Sequence, residues 1–203
     1  MTDTGRTERE GALVAYYDDE VAERLRRELP AERVARRGAF VEQLRSERRR
    51  TVLEVGAGPG RDGVAFAASG LDYTGVDLAP ASVATCRAAG LDAHVASVLD
   101  LPFVDAAFDA GWTMSTLLHV ADEDLPAALA ETVRVLRPGS PLAVGLWGGG
   151  RSVEDHGPRY FRFRTDDEVR AALAAHGEIE RWETWEGTHD LHYQYAVVRT
   201  PSR

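Results

Sequence analysis

Short apolar runs alternate with segments of mixed polarity through most of the chain after residue 50. The runs have the length of buried strands, and Gly and Pro punctuate the ends of several segments between them. The pattern predicts strands near 51–55, 72–77, 92–96, 107–113 and 141–147, and helices near 60–69, 80–89 and 122–136. Strict alternation of strand and helix is typical of right-handed crossovers and a parallel sheet, so the predicted fold class is α/β.

The N-terminal region does not follow this alternation. Residues 1–10 are polar, and we expect them to be disordered. Two helices are predicted after them, the first near 13–29 and the second from the break at Pro30 to about residue 49.

The C-terminal region departs in a different way. A polar loop is predicted near 148–164, followed by a helix near 165–176, where Thr165 and Glu168 fit a capping box. Two strands near 178–186 and 191–199 close the chain, and the short connection between them predicts antiparallel pairing.

Charge and composition limit the classes of function. The net charge of −9 argues against a nucleic-acid-binding surface. All 24 basic residues are arginine, which suggests a GC-rich bacterial genome. Ten arginines between Arg24 and Arg50 are interleaved with glutamates; we interpret them as a solvated helical face, with a phosphate-binding patch as the alternative.

Nothing in the sequence indicates a membrane segment. No apolar run approaches the roughly 18–20 residues that span a bilayer, and the polar N-terminus has no signal-peptide core. We therefore expect a cytoplasmic protein. The single cysteine, Cys86, excludes an internal disulfide framework and is expected to be a small buried side chain.

The turn after the first predicted strand is the most informative segment. The strand ends at Glu54–Val55, and Gly56, Gly58 and Gly60 follow at alternate positions before a helix. Glycine permits a tight turn and a close approach of the backbone to a ligand. Asp77 ends the second strand about 20 residues later, where nucleotide-binding sheets place an acid that accepts hydrogen bonds from ribose hydroxyls.

These residues resemble the class I S-adenosylmethionine-dependent methyltransferases over about residues 50–147. The segments that carry the resemblance are Glu54–Gly60, Asp77, Val98–Phe103, Phe108–Ala110 and Val135–Gly139. The resemblance implies a Rossmann-like, doubly wound seven-stranded sheet in the order 3-2-1-4-5-7-6, with strand 7 antiparallel. It implies a helical segment, 1–50, packing on the cofactor site of a methyltransferase domain, 51–203.

The resemblance also implies a cofactor, S-adenosyl-L-methionine, whose product is S-adenosyl-L-homocysteine. Gly56 and Gly58 would approach its methionine part, Asp77 its ribose and Leu78 its adenine. Glu54 either sits near the cofactor amino group or only caps the turn. The cofactor-binding residues implied are Tyr17, Glu54, Gly56, Ala57, Gly58, Asp77, Leu78, Ser97, Val98, Thr113 and Ser115.

Two of these positions need comment. Tyr17 resembles the Tyr-Asp start that closes the cofactor pocket in many small methyltransferases, or it packs its helix on the domain. Ser97 stands where family members often carry an acid that binds the adenine amino group. A serine hydroxyl accepts a weaker, neutral hydrogen bond, and the backbone N–H of Val98 is a further adenine contact.

A nicotinamide dinucleotide is the rival cofactor, because Gly58–Gly63 matches G-x-G-x-x-G and Asp77 suits either ligand. Three features favour the methyltransferase. Glu54 lies in the strand end as in that family, Pro59 removes an N–H from the loop that would hold a pyrophosphate, and no second catalytic domain follows. A non-catalytic S-adenosylmethionine-binding protein is the third hypothesis.

The resemblance implies methyl transfer to an oxygen or nitrogen atom of a small molecule by in-line displacement. A general base would come from His119 or His156, with a structural role as the alternative for His119. The residues expected to bind the acceptor are Trp147, Arg151, Arg159 and Tyr160. His189 and His192 are expected in the core or on the surface, and no spacing of His residues indicates a metal site. We expect a monomer or homodimer without nucleic-acid or membrane partners.

Overall fold

The computed structural model describes residues 3–149, 154–156, 159–186 and 192–202. The chain divides into two compact units, Met1–Ser97 and Val98–Arg203. Within the described residues, no helix is both long enough and apolar enough to cross a membrane.

The first unit alternates helix and strand after two N-terminal helices. Its elements are α1 Asp3–Arg26, α2 Ala31–Ser46, β1 Thr51–Val55, α3 Arg61–Ala68, β2 Asp72–Asp77, α4 Pro80–Ala88 and β3 Asp92–Val95. The strands pair in parallel, β1 with β2 and β2 with β3. Its core combines apolar strand residues such as Leu53 with Phe40 and Leu44 of α2 and Phe66 of α3, all of which are buried.

The second unit begins with parallel strands and ends with an antiparallel pair. Its elements are β4 Ala110–Met114, a 3-10 helix Leu117–His119, α5 Leu125–Arg134, β5 Pro141–Gly148, β6 Glu154–His156, β7 Arg159–Phe161, α6 Asp166–Ala174, β8 Glu178–Glu186 and β9 His192–Arg199. β4 and β5 pair in parallel, whereas β9 runs antiparallel to both β5 and β8.

The main sheet has the order β3-β2-β1-β4-β5-β9-β8, and β6 and β7 form a separate two-stranded sheet. When only the strands of the main sheet are counted, the order is 3-2-1-4-5-7-6. The predicted order and the antiparallel last strand are therefore confirmed. The capping box at the start of α6 is also confirmed, because the side chains of Thr165 and Glu168 each bond to the other's backbone N–H.

Three predicted elements differ from the structure. Residues 3–10 are helical rather than disordered, because α1 packs against α4 and buries Leu13. The fourth strand begins at Ala110, later than expected, since Phe108 forms only an isolated bridge with Leu136. The region predicted as a loop contains β6 and β7 as a short hairpin.

Candidate functional site

The glycine turn links β1 to α3, and its backbone has the left-handed conformation at three positions: φ is 78° at Gly56, 52° at Gly58 and 80° at Gly60. A Cβ atom on Gly60 would lie 2.8 Å from Leu91 Cδ1 and 2.9 Å from Cys86 Sγ, so both space and conformation require glycine there. At Gly58 such an atom would meet nothing within 4 Å, and the positive φ alone is the constraint. The turn therefore leaves its backbone open to close approach at Gly58.

Hydrogen bonds hold this turn against β2. The N–H groups of Gly56 and Ala57 donate to the carbonyl of Val76 at 2.8 and 2.9 Å. The N–H of Gly58 donates to Asp77 Oδ2 at 2.7 Å, and the N–H of Ala79 donates to Asp77 Oδ1 at 2.9 Å. Each oxygen of this carboxylate has one backbone donor. Since an ionised carboxylate offers about four acceptor sites, Asp77 retains the capacity for two more donors, such as the two hydroxyls of a ribose.

Two opposing effects act on the pKa of Asp77. Burial raises the pKa of its carboxyl group above the ordinary value, and the hydrogen bonds from Ala79 and Gly58 pull that pKa back down. Leu78, the next residue, is half-buried at the same edge of the sheet. The structure thus places Gly56, Gly58, Asp77 and Leu78 together, as the sequence predicts.

Glu54 lies beneath the turn and is fully buried. The Tyr73 hydroxyl donates to Glu54 Oε2 at 2.7 Å, and Arg33 Nη2 lies 3.9 Å from Oε1. Burial, and then the nearby charge of Asp62, raise the pKa of Glu54 well above its ordinary value. Oε1 has no hydrogen-bond partner among the described residues, so this oxygen can still receive a donor.

A cluster of charges that the sequence did not predict supports the start of α3. Asp62 is 1% exposed, and two arginines of α2 hold it. Arg33 Nη2 lies 2.6 Å from Asp62 Oδ2, and Arg37 Nη1 lies 2.7 Å from Oδ1. The interpretation of the arginine-rich segment as a solvated face is therefore wrong for these two residues. Their spacing of four residues on one helix face, with an acid in the first turn of α3, was the available signal.

The helix α1 contacts the same edge of the first unit. Asp18 Oδ1 accepts a hydrogen bond from the N–H of Ala81, in the first turn of α4, at 2.8 Å. The guanidinium carbon of Arg24 lies 4.8 Å from the ring centroid of Tyr17. Ser97 Oγ donates to Glu10 Oε1 at 2.7 Å. Tyr17 and Ser97 therefore both belong to contacts made by α1.

In the second unit, the predicted residues at the end of β4 have special environments. Thr113 is 2% exposed, and its Oγ1 has no hydrogen-bond partner in the part of the chain that is described. Ser115 has φ 58°, and its N–H donates to the carbonyl of Gly145 at 2.7 Å. A left-handed serine costs about 1–2 kcal/mol, so its neighbours must hold it there. Val98 is buried at 9% exposure.

His119 ends the 3-10 helix and is oriented by β7. Its Nδ1 lies 2.8 Å from the carbonyl oxygen of Tyr160, and its ring packs against Phe161 with centroids 4.7 Å apart. A carbonyl only accepts, so Nδ1 must carry the proton, and the basic lone pair of the neutral ring is on Nε2. This is the tautomer that a general base acting through Nε2 requires.

Buried Arg164 holds the 3-10 helix from the other side, a role that the sequence did not reveal. Its Nη1 donates to the carbonyl of Leu117 at 3.2 Å, and its Nη2 donates to that of Val120 at 2.8 Å. Its Nε donates to Asp122 Oδ1 at 3.0 Å. Burial lowers the pKa of Arg164. No pattern in the sequence distinguishes this arginine from the less buried Arg159 and Arg162.

The predicted acceptor-binding residues are only partly described. Arg159 and Tyr160 lie in β7, where the guanidinium carbon of Arg159 is 4.7 Å from the centroid of Phe161. Trp147 lies in β5, with its ring edge-on to Tyr193 at 4.8 Å. Arg151 and the side chain of His156 lie outside the described residues, although the backbone of His156 pairs with Arg159 in the hairpin.

An open cavity of about 530 Å³ in the second unit does not coincide with these predictions. Its polar lining includes Asp166, Asp167, Glu186 and His192. His192 is already engaged, because Nε2 lies 2.8 Å from Asp166 and Nδ1 lies 3.2 Å from Glu186. None of the predicted site residues lines this cavity, and we assign it no role. Among the described residues, no group of three or more His, Cys, Asp or Glu side chains is arranged to hold a metal ion.

The known proteins that are similar to this chain in sequence include methyltransferases. Residues 52–139 match the family described as "Methyltransferase domain". The O-methyltransferase rstn1 of Aspergillus nomiae is 34% identical over 140 residues, which make up 64% of this chain and 60% of that relative. The chain thus spans well under the full length of this relative.

Solved structures share the fold. The 1,6-didemethyltoxoflavin-N1-methyltransferase of Burkholderia thailandensis superposes with a TM-score of 0.66 at 24% identity, covering 87% of this chain and 92% of that one. The cyclase SpnF gives a TM-score of 0.67 at 23% identity, covering 81% of each chain. Residues 52–139 are thus similar in sequence to a methyltransferase domain, and the chain shares its fold with these solved structures.

Proposed function

We propose that the protein transfers a methyl group from S-adenosylmethionine to an oxygen or nitrogen atom of a small molecule. The observation that carries the proposal is the position of Asp77, whose carboxylate is held by two backbone N–H groups at the edge of the glycine turn and retains acceptor capacity. The similar proteins include an O-methyltransferase and an N1-methyltransferase, which supports these two acceptor atoms.

The first unit fits the cofactor. Gly56, Ala57 and Gly58 offer backbone groups that a methionine moiety can approach closely, and Glu54 Oε1 is a buried acceptor beneath them. Leu78 supplies an apolar surface next to Asp77, and we propose that it packs on adenine. Residues 1–50 then act as a helical segment on the cofactor site, with Tyr17 as the residue of α1 that closes it.

We propose further cofactor contacts from Val98, Thr113 and Ser115. Val98 would bind the adenine edge through its backbone N–H, beside Ser97. Thr113 and Ser115 would contact the reactive end of the cofactor. When bound, S-adenosylmethionine would supply an electrophilic methyl group to the acceptor. The protein's task is to orient the acceptor and to receive its proton.

We propose His119 as the group that receives this proton. The carbonyl of Tyr160 fixes its Nδ1–H tautomer, so Nε2 is the basic atom of the neutral ring. His156 is the second candidate. Trp147, Arg151, Arg159 and Tyr160 are proposed to bind the acceptor, the arginines through a carboxylate or phosphate. The cytoplasmic location, the bacterial source, the absence of nucleic-acid partners and the monomeric or homodimeric state stay predictions.

Calorimetry with S-adenosylhomocysteine tests the cofactor assignment. Replacing Asp77 with alanine should weaken binding by about 1.5–3 kcal/mol, the range for hydrogen bonds to a charged group. Asp72→Ala is the matched control, because Asp72 is an exposed acid at the opposite end of the same strand. Equal affinities in wild type and Asp77→Ala would refute the ribose role. Binding of NADH without a response to S-adenosylhomocysteine would favour an oxidoreductase instead.

A methyl-acceptor screen with His119→Gln forms the second arm of this experiment. Turnover should fall while the affinity for S-adenosylhomocysteine is kept, because the histidine acts on the acceptor. A parallel loss of turnover, affinity and melting temperature would indicate a structural role. Binding without turnover on any acceptor would favour a non-catalytic binding protein.

A further inference from the structure

The contact between Glu10 and Ser97 joins the beginning of α1 to the segment that follows β3. The two residues are 87 positions apart in the chain, and Ser97 Oγ donates to Glu10 Oε1 at 2.7 Å. Both side chains are half-buried. The hydroxyl proton of Ser97 is thus directed at the carboxylate, which fixes one oxygen of Glu10 and leaves its second oxygen as a further acceptor.

This contact lies at the end of the strand next to Asp77. Asp77 and Val95 are register partners in β2 and β3, and the N–H of Ala96 donates to the carbonyl of Asp77 at 3.1 Å. Ser97 follows directly. The sheet order β3-β2-β1 puts the glycine turn on one side of Asp77 and the Ser97 segment on the other.

The face of α1 that carries Glu10 extends along this edge of the sheet. Glu10, Tyr17 and Arg24 are spaced by seven residues, which is close to two helical turns, so they share one face. Asp18 fixes α1 to the first turn of α4 through the N–H of Ala81. A helix rises 1.5 Å per residue, so Glu10 and Asp18 are about 12 Å apart along the axis. The helix α1 therefore extends past the C-terminal ends of both β2 and β3.

This arrangement sets the order in which the methionine, ribose and adenine parts of the proposed cofactor would lie along the edge of the sheet. If the methionine part lies at the glycine turn and the ribose at Asp77, the adenine extends to the β3 side. Its exocyclic amine has two N–H donors and needs an acceptor there. Position 97 offers only a hydroxyl, whose proton is already donated to Glu10. A carboxylate accepts a stronger hydrogen bond than a neutral hydroxyl does.

We propose that Glu10 is the residue that recognises adenine, by accepting a hydrogen bond from its exocyclic amine, and that Ser97 positions this carboxylate. The acid that the sequence lacks at position 97 is supplied by a different element of the chain. The proposal rests on the proposed function, since it requires an adenosine-containing cofactor. It makes Glu10 a determinant of cofactor specificity.

The test compares two probes, S-adenosylhomocysteine and S-inosylhomocysteine, in which a carbonyl oxygen replaces the exocyclic amine. Wild type should prefer the adenine compound by about tenfold to one hundredfold, since a hydrogen bond to a charged group contributes about 1.5–3 kcal/mol and 1.4 kcal/mol is tenfold. Glu10→Gln should abolish or invert this preference, because an amide also donates to the carbonyl. Glu8→Gln, at an exposed glutamate of the same helix, should keep it.

A rescue variant separates recognition from anchoring of the helix. Adding Ser97→Asp to Glu10→Ala returns a carboxylate to the strand end, and the preference for adenine should reappear. An unchanged preference ratio in Glu10→Gln, or no preference in wild type that binds S-adenosylhomocysteine, would overturn the role of Glu10 alone. Wild type that binds neither probe would instead overturn the proposed function.

Discussion

Asp62 in the first unit and Arg164 in the second are both almost completely buried, at 1% and 2% exposure, but their charges are compensated differently. Asp62 faces two guanidinium groups from α2. Arg164 faces one carboxylate and two main-chain carbonyls. The charge of Asp62 is compensated by opposite charges, whereas the guanidinium group of Arg164 is satisfied mostly by hydrogen bonds to backbone carbonyls.

The difference matters because each charge supports a different part of the proposed site. Asp62 lies in the first turn of α3, directly after the glycine turn, so its cluster holds two helices around that turn. Arg164 satisfies carbonyls at both ends of the 3-10 helix that carries His119. The first unit should therefore be sensitive to loss of charge, and the second to loss of particular hydrogen bonds.

The largest effect is expected from the double variant Arg33→Met, Arg37→Met. It leaves the Asp62 carboxylate buried without either of these cations, and uncompensated buried charges destabilise by about 3–5 kcal/mol. Urea denaturation measures the loss. The matched control is Arg27→Met, Arg45→Met, whose side chains are 59% and 51% exposed and should contribute about 1 kcal/mol or less. Equal losses in the two double variants would show that the Asp62 cluster is not a compensated buried charge.

A smaller loss is expected from Arg164→Met. The Val120 carbonyl loses the guanidinium donor, and a buried unsatisfied group costs about 1–3 kcal/mol. The Leu117 carbonyl keeps the N–H of Val120, and Asp122 keeps its ion pair with Arg162. Arg181→Met, at a residue 44% exposed, is the control. Thermal unfolding and turnover should both fall in Arg164→Met, since the 3-10 helix positions His119. A variant with wild-type stability would contradict the main-chain role.

The smallest effect, and one of opposite sign, is expected from Glu54→Gln. Burial raises the pKa of Glu54, so the folded protein holds a proton that the unfolded chain releases. The native state then binds more protons, and stability falls as pH rises from the ordinary glutamate pKa of about 4.3 toward the raised value. Glutamine removes this dependence and still accepts the Tyr73 hydrogen bond.

The variant should therefore gain stability relative to wild type as the pH is raised from about 4 to neutrality. Urea midpoints measured across that range give the difference directly. If the variant were less stable by the same amount at every pH, then Glu54 would not be a buried carboxyl group with a raised pKa.

The sequence predicts local features of both units better than it predicts contacts between distant segments. β1, β2 and β8 have the predicted bounds, and Gly56, Gly58 and Asp77 come together as expected. These features are local, because the strand lengths follow the apolar runs and the glycine turn needs φ values that other residues rarely adopt.

The contacts that the sequence did not predict all join distant segments. Arg33 and Asp62 are 29 residues apart, Arg164 and Asp122 are 42, and Glu10 and Ser97 are 87. Such pairs depend on which helix faces which strand end, and a hydrophobic pattern contains no information on that. The helical state of residues 3–10 was not predicted either, since they continue α1, which packs against α4 and whose Glu10 contacts Ser97.

The environment of Cys86 lowers its reactivity toward thiol reagents. Its Sγ donates to the Gly58 carbonyl at 3.3 Å, and burial raises the pKa of its thiol to about 12. Thiol reagents attack the thiolate, which is scarce at neutral pH when the pKa is this high. Cysteines introduced at exposed positions for fluorescent labelling will therefore react selectively, without removal of the native one.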